Sequence, residues 1–263
     1  MSAEKVNAAT RIASVLEAAA KAGGGNGLPG AMARAMNAAP DSPEYLIGLA
    51  TLAQQYIEIE LVVQQREMSD RARAVYQRAL QKLRPFLSPV HLANHTNSTL
   101  KALTNEIDQL FVISDLLPAE DQISDGDKLA ELVKKLEELR AEIGDIGVSE
   151  EVAVHLKALF DTLLMALRSH HILGPDGLAK AFGSVAFELT RTMNVQSLGG
   201  SANTKAAGWF GKSVKAMKAL GALIVWTGAV AGAGSELLEF GGDVTGLLSD
   251  ASTEATAAAA KKN

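Results

Sequence analysis

The sequence predicts an all-α fold, a multi-helix bundle of about seven to nine helices. Apolar residues recur three and four positions apart along most of the chain, and no convincing alternating strand pattern appears. With only 7 Phe, 3 Tyr and 2 Trp in 263 residues, the core must be built mostly from Leu, Ala, Val and Ile. That stock suits helix-on-helix packing, because small residues let helix axes approach. The length allows one large or two modest domains with a real core.

The elements follow in order. Residues 4–22 read as a short Ala-rich helix, stopped by a joint holding Gly23, Gly24, Gly25, Gly27, Pro29 and Gly30. A short helix is expected at 31–38, ended by Pro40, and a stronger one at 43–67. In the latter Leu46, Leu49, Ala53, Tyr56 and Val63 recur at helical spacing, while Gln54, Gln55, Glu58, Gln64 and Gln65 supply polar faces. Ser69 is placed to cap a helix over 70–84, ended by Pro85, and Ser88-Pro89 reads as an N-cap with proline at the first helical position. From there one helix is expected to about 117, stopping before Pro118.

The cleanest periodicity follows. Leu129, Leu132, Leu136, Leu139, Ile143 and Ile146 are spaced 3, 4, 3, 4, 3, a seam of a/d type. Ser124 with Asp127 resembles a capping box, and Gly144 is expected to end the helix. Gly147 lies in the turn, and Ser149 is placed to cap a partner over 150–170 that carries Val152, Leu156, Leu159, Leu163 and Leu167. A short loop between two such helices predicts an antiparallel hairpin over 127–170. A further helix is expected at 175–192, starting at Pro175, and residues 197–208 are small and polar.

The expected organisation is an N-terminal helix and Gly-rich joint at 1–30, a helical bundle at 31–192, a Gly-rich apolar helix or hairpin at 193–248 and a disordered tail at 249–263. The most unusual stretch is Ala219–Ser235, seventeen residues without a charge. That is the lower edge of the roughly 17–25 needed to cross a bilayer core. Lys212, Lys215 and Lys218 precede it as a basic stripe, with Trp209 at the same end, Trp226 within it, and Glu236, Glu239 and Asp243 behind it. Trp209, Lys212, Lys215, Lys218 and Trp226 are the candidate membrane-interaction residues, since indole rings and lysines favour an anionic interface. Gly221, Gly228, Gly232 and Gly234 are candidate helix-packing positions, Gly228 and Gly232 forming a GxxxG pair. Each glycine costs roughly 0.8–1 kcal/mol against Ala in an exposed helix. Close packing within a soluble bundle explains them equally well.

Little else points to chemistry. The chain has no Cys, which excludes disulfides, thiol catalysis and thiolate metal sites. His91 and His95 have metal-ligand spacing, but Leu92 stands where a HExxH site needs Glu. His170 and His171 are adjacent and project differently, and Glu151 with His155 lacks the repeated motif of a di-iron bundle. Gly211-Lys212-Ser213 matches the end of a phosphate-binding loop, but Ala206 replaces its first glycine and no strand precedes it. No catalytic residue, metal ligand or cofactor is therefore expected. The net charge of -5 argues against a nucleic-acid binder. Residues 1–191 hold 19 Lys/Arg against 25 Asp/Glu, and residues 192–263 hold 6 against 5, so the C-terminal region is nearly neutral.

Three functional readings follow, the third being an enzyme whose site is assembled from scattered polar residues, for which the sequence offers no chemistry. In the leading one, a helical protein conditionally exposes its apolar segment at an anionic lipid membrane, the physical strategy of pore-forming toxins and cell-killing effectors. In the alternative, a soluble intracellular helical interaction or structural protein without catalytic activity packs that segment in its core or in a homo-oligomer or helical-partner interface. No classical signal peptide is visible at the N-terminus, so the expected location is cytoplasmic when soluble, with membrane association in the leading reading. The sequons at Asn94 and Asn97 are then chance matches.

Overall fold

The chain is all-α, with eleven α-helices and no strand among the described residues. A computed structural model describes residues 6–22, 27–120, 126–198 and 203–225. It divides into two units: residues 1–122 with 169–174, and residues 123–168 with 175–263.

The first unit is organised around α1 (Ala8–Lys21), which packs against α2 (Gly27–Ala35), α3 (Pro43–Gln65), α6 (Asn97–Lys101) and α7 (Thr104–Ile113). Helix α1 buries Ala9, Ile12, Ala13, Val15, Leu16 and Ala19, and its alanines let neighbouring axes close in. Its start is fixed by a capping box: Asn7 Oδ1 accepts from the Ala9 and Thr10 amides, and Thr10 Oγ1 accepts from the Asn7 amide at 2.9 Å. Asn7 Nδ2 also donates to the Ser114 carbonyl at 2.9 Å, tying the cap to the end of α7.

Two expectations near α1 need correction. Gly27, Pro29 and Gly30 are not joint residues but the first turns of α2, which runs Gly27–Ala35 rather than 31–38. Pro29 is tolerated there because early helical amides have no intrahelical acceptor. Residues 23–26 lie outside the described residues.

Helix α3 opens at Ser42-Pro43, where Ser42 Oγ accepts from the Tyr45 amide at 3.2 Å. Helix α4 (Asp70–Leu83) opens at Ser69, whose Oγ accepts from the Ala72 amide at 3.2 Å. A 3-10 turn over Arg84–Leu87 takes in Pro85. Ser88 makes no side-chain cap, contrary to expectation; its carbonyl instead receives the amides of His91 and Leu92.

The single helix expected from 89 to 117 is three: α5 (Pro89–Leu92), α6 and α7, followed by a 3-10 turn over Ser114–Leu116. The break is fixed by hydrogen bonds at Thr96 and Asn97. Thr96 Oγ1 caps α6 by accepting from the Thr99 amide at 3.3 Å, and Asn97 Nδ2 donates to the Ala22 carbonyl at 2.7 Å. Asn97 thereby satisfies a C-terminal carbonyl of α1, which straight continuation of α5 would leave open.

In the second unit α8 (Gly126–Glu142) packs against α9 (Glu150–Arg168) and α11 (Thr204–Val225). Leu129, Leu136, Leu139, Ile143 and Ile146 are buried, and Leu132 is half-buried. Ile143–Asp145 tightens to a 3-10 turn, and Gly147 takes φ +74°. Ser124 lies outside the described residues. On α9 the buried set is Leu156, Phe160, Leu163, Leu164 and Leu167, whereas Val152 and Leu159 are half-buried. The face is rotated from the expected one because the large Phe160 ring takes the central position. Arg140 pairs with Asp161, its Nη2 lying 2.8 Å from Oδ2, and Arg168 pairs with Glu137 at 2.6 Å.

The helix expected at 175–192 belongs to a longer run, α10 (His170–Leu198), broken at Gly174 with φ 69° and ψ 177°. The turn before the break belongs to the first unit, where Gln55 Nε2 donates to the Ile172 carbonyl at 3.0 Å. The helix restarts at Pro175 and runs six residues past 192 to Leu198. Asn203 caps α11, its Oδ1 accepting from the Ala206 amide at 3.1 Å, while its Nδ2 donates to the carbonyls of Ile146 and Gly147 at 2.8 and 2.9 Å.

Candidate functional site

The residues singled out for a membrane fall on α11. Trp209 is 2% exposed. Its Nε1–H donates to the Leu139 carbonyl at 2.8 Å, and its ring lies 5.4 Å from Phe160 and 5.1 Å from Phe210, centroid to centroid. A buried indole with a satisfied N–H is a core anchor of the second unit. Lys212 Nζ reaches both oxygens of Glu142, at 2.9 and 3.1 Å. Lys215 and Lys218 are exposed. On the opposite side Ser213, Val214, Ala216, Met217, Leu220 and Ile224 are buried, so the helix is amphipathic. At Gly221 an added Cβ would stand 3.2 Å from Phe182 Cζ, so this glycine admits the Phe182 ring. Trp226, Gly228, Gly232 and Gly234 lie outside the described residues.

The histidines do not assemble a metal centre. Among the described residues no group of three or more His, Asp or Glu converges to hold an ion. His95 stacks on Phe86 at 4.7 Å, and the His170 and His171 rings meet edge to face at 5.9 Å. His155 of α9 faces Glu188 of α10 at 3.9 Å, and Arg191 holds the other Glu188 oxygen at 3.5 Å. These residues line an open cleft of about 300 Å³ with Glu151, Val152, Thr192 and Val195. Within it Glu188 is shared between His155 and Arg191.

Shifted titrations elsewhere have structural causes. Burial, reinforced by the hydrogen bond to Glu60 at 2.8 Å, raises the Tyr56 phenol. Burial also raises Tyr45. The hydrogen bond from Lys82 lowers Glu106 against the opposing effect of burial, and the hydrogen bond to Asp161 raises Arg140. None of the four lies in the cleft.

One surface feature of α3 was not isolated from the sequence. Helix α3 is apolar on two sides. Tyr45, Leu49, Leu52, Tyr56, Ile59 and Val63 enter the core at 0–5% exposure. Leu46, Ile57 and Leu61 remain 53, 48 and 48% exposed, with Ala50 exposed and Ala53 half-buried between them. At 100° per residue positions 46, 50, 53, 57 and 61 fall in one narrow stripe, well away from the core face. Expected apolar Leu46 is thus a surface residue, and expected polar Gln55 is 6% exposed, used to hold the Ile172 carbonyl. Among the described residues α3 is also the one helix long and apolar enough to cross a membrane. Core helices pass the same test.

No protein-family model matches the chain, and neither a curated protein nor a solved structure matches it.

Proposed function

We propose that this chain is a soluble intracellular helical interaction protein, without catalytic activity of its own, that presents the outer face of α3 to a protein partner. The observation that carries the reading is the second apolar face of α3. One face is spent on the core of the first unit, while Leu46, Ala50, Ile57 and Leu61 stay open to solvent. Scattered exposed apolar residues are ordinary, but an aligned stripe on a rigid helix is the helix-in-groove or helix-on-helix mode of recognition. In this reading α8 and α9 form an antiparallel hairpin, and α11 supplies that scaffold with a closely packed helix. Buried Trp209 and the Phe182 contact at Gly221 support packing over lipid contact.

Membrane insertion through α3 would withdraw six side chains from the core, from Tyr45 to Val63. Lipid would cover those side chains in turn, so the cost falls on the apolar side chains of α1 and α4 left facing water behind them, at ~1.5–3 kcal/mol for each large one. The test is flotation of the purified full chain with vesicles of anionic lipid, at neutral and acidic pH. The protein is expected to stay in the aqueous fraction, and Lys212→Glu/Lys215→Glu/Lys218→Glu to change nothing. Flotation that the triple variant weakens would replace this reading with the membrane-acting one.

A further inference from the structure

We propose that the outer face of α4 is a docking surface for an acidic, amphipathic segment of a protein partner. The inference rests on the interaction reading above for the kind of occupant, and adds a second face to it. Residues 71–105 hold six Lys/Arg and no Asp or Glu, whereas the rest of the chain holds 19 against 30. At 100° per residue Arg71, Val75, Arg78 and Lys82 fall within about 60° of one another on α4. All four are exposed. The buried side of the helix, Ala79, Leu80 and Leu83, is centred about 120° round from them.

The arginines of this face are also unspent. Arg11, Arg140, Arg168 and Arg191 each reach a carboxylate, and so does Arg73 of α4 at its neighbour Asp70. Arg71, Arg78 and, just past the helix, Arg84 have no carboxylate within 4.0 Å among the described residues. The acids around the face are engaged elsewhere or stand apart from it. Asp70 lies about 100° round α4 from Arg71, and Glu106 of α7 is taken by Lys82. On α3, Glu60 accepts from Tyr56 at 2.8 Å and Glu58 from Gln54 at 3.3 Å. Glu67, before α4, and Asp108 of α7 are exposed, and neither lies within 4.0 Å of a Lys or Arg among the described residues.

A guanidinium fork pairs with a carboxylate or a phosphate alike. Two features of the face select the carboxylate segment. Val75, 46% exposed, and exposed Ala74 sit among the cations and gain contact from an apolar side chain, which a phosphate backbone lacks. The face is also short, about 16 Å from Arg71 to Lys82 at 1.5 Å per residue. A long phosphate polymer or an anionic bilayer extends far beyond it and meets the repulsion of the acidic remainder of the chain. A segment of about three helical turns spans the face and stops there.

The probe is a capped, dye-labelled helical peptide with Glu at the spacing of Arg71, Arg78 and Lys82, Leu at that of Val75, and Ala and Gln elsewhere. It is titrated with the full chain by fluorescence anisotropy at low ionic strength. Saturable binding is expected, with a Kd of ~10 µM to 1 mM. Arg71→Glu/Arg78→Glu should weaken it by ~10-fold or more at an unchanged thermal midpoint, with Arg71→Gln/Arg78→Gln between that variant and the parent. Lys134→Glu/Lys135→Glu makes the same change of net charge on the exposed side of α8 and should leave binding unchanged, as should Ile57→Glu. Equal weakening by the α8 pair would reduce the attraction to net charge and overturn the site, as would a lack of saturation by ~1 mM. Tighter binding of a uridine oligonucleotide of equal charge, or of anionic-lipid vesicles, with the same loss in Arg71→Glu/Arg78→Glu, would overturn the carboxylate segment as occupant. A protein partner lost in Ile57→Glu yet indifferent to the α4 variants would sink this inference and leave the α3 reading standing. A partner lost only in the α4 variants would support it and remove the α3 face.

Discussion

Gly174 should be irreplaceable for two separable reasons. Its φ of 69° and ψ of 177° lie in a region that residues with a Cβ enter at a cost of ~1–3 kcal/mol. An added Cβ would also stand 2.8 Å from the guanidinium of Arg11. That guanidinium has little freedom to move, with a side chain 9% exposed and both terminal nitrogens engaged by Glu120, the longer contact being 3.0 Å. Yielding to the methyl group would weaken charge-assisted hydrogen bonds of ~1.5–3 kcal/mol. Together these give about 2–5 kcal/mol for Gly174→Ala. Urea denaturation followed by far-ultraviolet circular dichroism measures the total, fitted as two transitions if the units melt apart. The cycle with Arg11→Met separates the causes, because removing the guanidinium should recover ~1–2 kcal/mol of coupling. A loss under about 1 kcal/mol for Gly174→Ala would refute the backbone argument, and strict additivity with Arg11→Met would refute the steric one.

Leu136 is fully buried on α8, so Leu136→Ala should lose ~2–5 kcal/mol in the same assay; a loss below about 0.5 kcal/mol would place it outside the core. Ser213 is fully buried, and its Oγ has no hydrogen-bond partner among the described residues. Ser213→Ala should therefore leave stability unchanged or raise it by ~1 kcal/mol, and a loss above that would reveal a bond the hydroxyl makes. The Lys82 hydrogen bond depresses the folded-state pKa of Glu106, so its stabilisation is complete above the unfolded value and lost as pH falls through the folded one. Lys82→Met should lower the urea midpoint at neutral pH, with the gap to the parent closing in acid below the ordinary carboxylate range; a gap that widens in acid would contradict the assignment.

What was legible in the sequence was local. Ser69 announces a helix start because a cap needs only its own next three residues, although the same signal at Ser88 makes no side-chain cap. The 3,4 spacing from Leu129 to Ile146 reports a buried face directly, and Gly144 and Gly147 mark its end. Features set by distant partners were not legible. The packing of Arg11 against Gly174 joins residues more than 160 positions apart, and Asn97 is held by the carbonyl of Ala22, 75 positions earlier. Helix α3 misled for a different reason. When apolar residues line two faces, periodicity gives the helix but not which face is core, so Leu46 read as buried and Gln55 as exposed. Two interleaved series, 45-49-52-56-59-63 and 46-50-53-57-61, were the available signal. Trp209 likewise fits an interface or a core by type alone, and only the Leu139 carbonyl distinguishes them.

The path of the chain has a consequence for biosynthesis. Residues 169–174 complete the first unit, yet the ribosome makes them after residues 123–168 of the second. Until Ile172 emerges, the buried amide of Gln55 lacks its acceptor and Arg11 lacks the close backbone at Gly174. At 5–20 residues per second, the roughly 50 residues between 122 and 172 take about 3–10 s to add. During that interval the nascent first unit is an unfinished intermediate with its α3 stripe already translated. A stop placed at residue 122 would leave Gln55 without the Ile172 carbonyl and Arg11 without the backbone at Gly174 for good.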